Sequence, residues 1–61
     1  MTLRKATKGI TKGTYNIGFN DGDETQFDAK NITDLEELWF VFCKEEGCEV
    51  DSVDYVEKAV F

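Results

Sequence analysis

The sequence predicts an α+β fold in which a β-hairpin, one helix and a C-terminal strand (ββαβ) form a small sheet covered on one face by the helix. Three observations predict it. Apolar and polar residues alternate from Tyr15 and again from Thr25, which is the period of half-buried strands. Residues 33–47 have an acidic start and an apolar stripe, as an amphipathic helix does. The segment 48–61 is rich in β-branched and aromatic residues, which favours a strand.

The hairpin register follows from keeping the apolar side chains on one face. A two-residue loop would set apolar residues opposite polar ones, because a shift of one residue exchanges the two faces of a strand. A three-residue loop, residues 20–22, avoids this and places its glycine at the left-handed position of a bulge. This loop pairs Ile17 with Thr25. It also pairs Tyr15 with Phe27.

The helix is predicted to begin at Thr33, because Thr33 and Glu36 have the spacing of a capping box. It is predicted to end at Gly47, since glycine adopts the left-handed turn beyond a last helical residue at low steric cost. Four residues of this helix share an inward face: Leu35, Leu38, Trp39 and Phe42. We expect that face to pack on Ile17, Phe19, Phe27 and Val53 or Tyr55.

The apolar run from Leu38 to Cys43 is wider than one helix face, and this is the most informative feature of the chain. Phe40 falls outside the inward stripe, and Cys43 lies at its margin. The candidate protein-binding residues are therefore two apolar anchors and the charged residues around them: Phe40, Val41, Glu36, Glu37 and Lys44. The alternative is that Leu3 or Ile10 of the N-terminal segment covers Phe40, which would make the whole run core.

The C-terminal segment is predicted to be a strand that needs a bulge or an irregular start, because Val50 and Val53 differ in parity. A helix is the alternative, since Val53, Val56 and Val60 also fit a helical stripe. Phe61 either caps the core or frays. A last strand beside the first would run antiparallel and one beside the second parallel, so we expect an antiparallel or mixed sheet of three or four strands.

Length and charge bound the organisation of the chain. Sixty-one residues make one domain, 1–61, with a small core. The net charge is −6, but residues 1–12 contain four cations and no acid, while residues 13–61 contain thirteen acids and three cations. Residues 1–12 are interpreted as a basic edge strand or arm. The acidic body disfavours direct binding to nucleic acid and favours basic partner surfaces.

The sequence lacks the residue combinations that are typical of catalytic sites and of zinc sites. The chain has no histidine, a single serine, and two cysteines whose spacing fits no zinc pattern. We therefore expect no enzymatic activity, no cofactor and no metal site. No apolar stretch is long enough to span a membrane and no signal peptide is evident, so we expect a cytoplasmic protein without membrane association. In that compartment Cys43 and Cys48 are expected to be thiols, with a disulfide between them as the alternative.

Two classes of function fit these observations. The first is a small acidic protein-protein interaction module, with mimicry of nucleic-acid charge to inhibit a DNA- or RNA-binding protein as a special case. The second is a self-associating homodimeric structural protein that joins through the same patch or through a strand edge. Small size, acidity and the lack of catalytic residues are typical of accessory proteins carried by bacteriophages and other mobile elements.

Overall fold

The structure, a computed structural model, describes residues 1–7 and 9–59. Its elements in chain order are α1 (Leu3–Ala6), β1 (Gly13–Phe19), β2 (Asp23–Ala29), α2 (Ile32–Glu46) and β3 (Val53–Lys58). The three strands form one sheet in the order β2-β1-β3, and both pairings are antiparallel. The predicted α+β fold is confirmed, with the antiparallel form of the sheet.

The hairpin has the predicted three-residue loop and the predicted register, with Ile17 opposite Thr25 and Tyr15 opposite Phe27. The prediction of the left-handed residue was wrong. Asn20 and Asp21 adopt positive φ values of 50° and 54°, whereas the loop glycine has a φ of 157°. Asn and Asp tolerate this region because their short polar side chains satisfy nearby backbone groups.

β3 confirms the strand prediction for the C-terminal segment. It pairs with β1 from Tyr15 opposite Lys58 to Phe19 opposite Val53, with a register shift between Gly18 and Phe19. The shift lies beside Asp54, whose carboxylate Oδ2 accepts a hydrogen bond of 2.8 Å from the Asp21 amide in the hairpin loop. The expectations for Val60 and Phe61 lie outside the described residues.

α2 begins earlier than predicted. Its N-cap is Asn31, not Thr33, and the Asn31 side chain accepts a 2.8 Å hydrogen bond from the Asp34 amide. The Asp34 carboxylate in turn accepts a 3.0 Å hydrogen bond from the Lys30 amide. The predicted end is confirmed, since Gly47 has a φ of 75° and its amide donates to the Cys43 carbonyl. This pattern satisfies a carbonyl that the helix leaves free.

The core lies between the sheet and α2. Trp39 is fully buried, and its indole N–H donates a 2.9 Å hydrogen bond to the Val50 carbonyl. The predicted inward face of α2 differs in detail from the observed one. Leu38 and Phe42, predicted to face inward, are half-buried, and Cys43, predicted to lie at the margin, is buried. Tyr55 is 41% exposed, so Val53 is the core residue of β3. The buried apolar residues are Leu3, Tyr15, Ile17, Phe19, Ala29, Leu35, Trp39, Cys43 and Val53.

The N-terminal segment, for which we expected an edge strand or an arm, contains the helical turn α1. Thr2 caps it by accepting a hydrogen bond from the Lys5 amide. Leu3 is 2% exposed and belongs to the core. The α-amino group of Met1 donates to the Asp51 and Val53 carbonyls over 2.7 and 2.9 Å. These contacts dock the segment against the start of β3.

Candidate functional site

The outer side of α2 carries all five candidate protein-binding residues. Phe40 is 46% exposed and Val41 is 57% exposed, so Leu3 and Ile10 do not bury Phe40. Glu37 and Lys44 are exposed, and Glu36 is half-buried. The core therefore closes without Phe40 and Val41, and these two side chains remain in contact with water.

The five residues do not form a single patch. Consecutive residues of a helix differ by about 100° in direction, so Phe40 and Val41 point to different flanks. By the same rotation, Glu37 and Lys44 lie between them on the outermost side. Phe40 lies on the flank that faces α1, one turn beyond Glu36. Val41 lies on the flank that faces β2.

An ion pair connects α1 to the flank of α2 that faces it. The Arg4 Nε atom donates to the Glu36 carboxylate over 3.0 Å, and the two side chains are 53% and 23% exposed. A pair this exposed contributes at most about 1 kcal/mol to stability. The pair nevertheless engages the Glu36 carboxylate within the chain. Glu36 is therefore less free to act as a rim residue than Glu37 or Lys44.

The other flank contains a groove between α2 and β2, which we call the α2/β2 groove. Its volume is about 330 Å³. Four apolar and three acidic residues line it: Phe27, Leu38, Val41, Phe42, Asp34, Glu37 and Glu45. Phe27 and Phe42 meet edge to face with ring centroids 5.8 Å apart, and Phe42 stacks on Trp39 at 5.7 Å. The apolar wall of the groove is thus attached directly to the core.

The sequence interpretation found part of this groove and missed the rest. Val41 and Glu37 were candidates, but Leu38 and Phe42 were assigned to the core, where they are only half-buried. One signal points to Leu38, because it lies about 100° from Trp39, as far as Phe40 does on the opposite side. Phe27 depends on the position of β2 beside α2, which no local pattern fixes.

A second and larger cavity, of about 430 Å³, lies where the hairpin strands meet the start of α2. It is lined by Lys12, Gly13, Thr14, Asp28, Ala29, Lys30 and Asp34. Two lysines and two aspartates balance each other here, and the Thr14 hydroxyl donates to the Asp28 carboxylate. This cavity therefore has no net preference for a charged ligand, unlike the α2/β2 groove.

The two cysteines lie at the end of α2, and both are free thiols. Burial, together with a hydrogen bond to the Cys48 side chain, raises the pKa of Cys43 to about 12. Since the thiolate is the nucleophile and the metal ligand, such a thiol is inert at neutral pH. Among the described residues, no cluster of Cys, Asp and Glu is arranged to hold a metal ion.

The face of the sheet away from α2 is polar and internally bonded. The Gln26 amide donates to Asn16 over 2.7 Å across the hairpin. The Tyr55 hydroxyl donates to the Glu24 carboxylate, which raises the pKa of Tyr55 to about 12. The Tyr55 ring covers Gly18, where an added Cβ would lie 2.0 Å from it. These side chains use their polar groups on one another, so this face is a weaker candidate for docking than α2.

None of the protein-family models, curated proteins and solved structures compared with the chain matches it. Of the helices formed by the described residues, none is long and apolar enough to cross a membrane. The class of the molecule is therefore defined by its own fold and surface. It is a small acidic α+β domain that exposes apolar residues on the outer side of its main helix.

Proposed function

We propose that this chain is a non-enzymatic protein-protein interaction module that docks the outer side of α2 onto a basic surface of a partner protein. One observation carries the proposal: Phe40 and Val41 are 46% and 57% exposed although the core is complete without them. When a partner covers an exposed phenylalanine, apolar surface leaves water and the free energy of the complex falls. Phenylalanine buries about 200 Å² when fully covered, so hiding the exposed half is worth about 2 kcal/mol.

The charge of the molecule supports a basic partner. The net charge is −6, and two exposed acids of α2, Glu37 and Glu45, stand near Val41 in the α2/β2 groove. A surface of one sign attracts its opposite over distance and raises the rate of association. We therefore expect the association to weaken as salt is added, because salt screens exposed charges.

Self-association is the competing proposal, and the structure weakens one of its two routes. β2 and β3 are the two edge strands of the described sheet, and Met1 already bonds to the start of the β3 edge at Val53, so the β2 edge is the more open place for a second copy to join. That edge strand carries Asp23, Glu24 and Asp28, all exposed. Antiparallel pairing of two copies would bring like charges together, which destabilises a sheet. Sedimentation at several protein concentrations separates a homodimer from a monomer.

The location and origin of the protein are part of the same proposal. Free Cys43 and Cys48 suit a reducing compartment, so we propose a cytoplasmic protein. Small size and strong acidity support an accessory role of the kind served by phage and mobile-element proteins. Competition with DNA for a captured partner tests whether that role includes mimicry of nucleic-acid charge.

The replacement Phe40→Ser tests the proposal. We expect the variant to stay folded, with a free energy of unfolding lowered by at most about 2 kcal/mol, and to lose affinity for the partner. Val50→Ser is the matched control, because Val50 is also 46% exposed but lies outside α2. The decisive observation is a protein that wild type and Val50→Ser retain and Phe40→Ser releases, followed by titration of that purified protein.

Two results would contradict the proposal. A large loss of thermal stability in monomeric Phe40→Ser would show that Phe40 is a core residue. Equal retention of the same partner by wild type, Phe40→Ser and Val41→Ser would show that the outer side of α2 is not the contact surface.

A further inference from the structure

We infer that the α2/β2 groove receives a basic amphipathic helix of the partner protein, with apolar side chains on the groove wall and Lys or Arg side chains at Glu37 and Glu45. The inference rests on the proposed function and specifies the surface and the partner more closely. It moves the main contact from the Phe40 flank of α2 to the Val41 flank.

The size of the α2/β2 groove and the spacing of its lining residues suit side chains inserted from a facing helix. Its volume of about 330 Å³ is at the lower end of the range of ~300 to 1,000 Å³ that pockets for small ligands occupy. It follows the row Leu38, Val41 and Glu45 along α2, whose spacing of three and four residues keeps them on one flank. An amphipathic helix presents apolar side chains at the same spacing, so two such helices match along their lengths.

The charge of the groove selects the sign of the occupant. Its lining holds three carboxylates and no cation. Asp34 is partly engaged, because its carboxylate accepts a hydrogen bond from the Lys30 amide. Neither Glu37 nor Glu45 forms an ion pair within the described part of the chain. The two acids are eight positions apart, or about 12 Å along the helix axis, so cations seven or eight positions apart on a facing helix reach both.

A second copy of this chain is a poor occupant. Its body, residues 13–61, holds thirteen acids against three cations and would be repelled by the acidic rim. Its basic N-terminal segment is already in use, because Leu3 lies in the core and Arg4 pairs with Glu36. A copy that released this segment to fill the groove would expose its own Leu3 and lose its own Arg4–Glu36 ion pair. A partner protein with its own basic helix carries no such cost.

The test uses a defined probe, a synthetic helical peptide with leucine on one face and lysine flanking it, against 15N-labelled protein. We expect its addition to shift the backbone amide signals of Leu38, Val41 and Phe42, with an affinity that falls as salt is added. A peptide with glutamate in place of every lysine should leave those signals unchanged. Equal binding of both peptides, or shifts confined to other surfaces, would overturn the inference.

Charge reversal then separates local recognition from general attraction. Glu37→Lys with Glu45→Lys should weaken binding of the lysine peptide by about tenfold or more. Glu49→Lys with Glu57→Lys changes the net charge equally at exposed positions outside the groove, and should weaken binding less than about threefold. If the reversal disturbs α2, the milder pair Glu37→Gln with Glu45→Gln repeats the test. Equal losses from the two reversed pairs would show that only net charge matters.

The partner captured with wild type distinguishes failure of this inference from failure of the proposed function. If Phe40→Ser releases the partner and Glu37→Lys with Glu45→Lys retains it, docking by α2 stands and the groove is not the contact. If Phe40→Ser retains the partner and Glu37→Lys with Glu45→Lys releases it, α2 docks through the groove and not through Phe40. If both variants retain it, both proposals fall. If peptide-free protein self-associates and the same groove amides shift with concentration, the occupant is a second copy and the inference is overturned.

Discussion

Trp39 and Phe40 are adjacent aromatic residues of α2 with opposite surroundings. Trp39 is fully buried, donates a hydrogen bond to the Val50 carbonyl and packs against Phe19 with ring centroids 5.3 Å apart. Phe40 is 46% exposed. A turn of about 100° between neighbours is enough to separate them. The pair shows that one part of the apolar run of α2 belongs to the core and that another part is exposed to water.

The two flanks beside Trp39 differ in the same way. Leu38 and Phe40 lie about 100° to either side of it. On the Phe40 flank, α1 and the Arg4–Glu36 ion pair stand next to the helix. On the Leu38 flank, β2 leaves the α2/β2 groove. The N-terminal segment therefore packs beside one flank and leaves Phe40 46% exposed, whereas the other flank carries an open groove.

The replacement Trp39→Ala is expected to have the largest effect and tests the inner side of this comparison. It removes a fully buried ring and orphans the Val50 carbonyl, so the free energy of unfolding should fall by about 3 to 5 kcal/mol. A loss of this size equals the whole stability of many domains this small. Chemical denaturation measures it. Phe40→Ala is the control, with an expected loss of at most about 2 kcal/mol, and equal losses would contradict the assignment of the two faces.

The replacement Leu3→Ala tests the packing of α1 beside the Phe40 flank of α2. Leu3 is 2% exposed, and its truncation should lower the free energy of unfolding by about 2 to 3 kcal/mol. Arg4→Ala is the neighbouring control, with a loss of at most about 1 kcal/mol because its ion pair is exposed. Thermal or urea unfolding of both variants gives the comparison. A stable Leu3→Ala variant would mean that α1 does not pack beside the Phe40 flank.

The sequence predicted the elements whose signals are local and periodic. Alternation together with the turn-rich segment 20–22 predicted the hairpin register, because a shift by one residue would have set Ile17 opposite a polar residue. Gly47 marked the helix end, since few residues adopt its φ of 75° at low cost. The β-branched and aromatic residues of the segment 48–61 correctly favoured a strand, which the structure forms at Val53–Lys58.

The sequence did not predict features that depend on contacts between distant segments. The helix start was ambiguous, because Asn31 with Asp34 and Thr33 with Glu36 have the same capping spacing. The structure uses Asn31 and Asp34 for the cap, and Glu36 instead forms an ion pair with Arg4 of α1. α1 has four residues, too few for a periodic signal. The α2/β2 groove depends on where Phe27 of β2 stands beside α2, which only the folded chain defines.

The smallest expected effect is a slower reaction of the Cys43 thiol with a disulfide reagent. It tests how far the buried inner face of α2 extends toward the end of the helix. Cys43 is 3% exposed and Cys48 is only partly buried, so a disulfide reagent at neutral pH should modify Cys48 first. In a Cys48→Ser variant, the remaining thiol should react at least about tenfold more slowly than the one in Cys43→Ser, because it reacts only when the helix end opens. Equal rates in the two variants would mean that the inner face ends before Cys43.

The pH dependence of stability gives an independent measure of the same burial. The pKa of Cys43 is raised from 9.0 to about 12 in the folded chain, chiefly by burial. A group whose pKa is raised by folding contributes its full stabilisation below the unfolded value and loses it as pH rises through the folded value. Stability should therefore decline between pH 9 and pH 12 more steeply in the wild type than in Cys43→Ser. Parallel declines would show that folding does not protect this thiol, and the inner face of α2 would then be shorter than its apolar run.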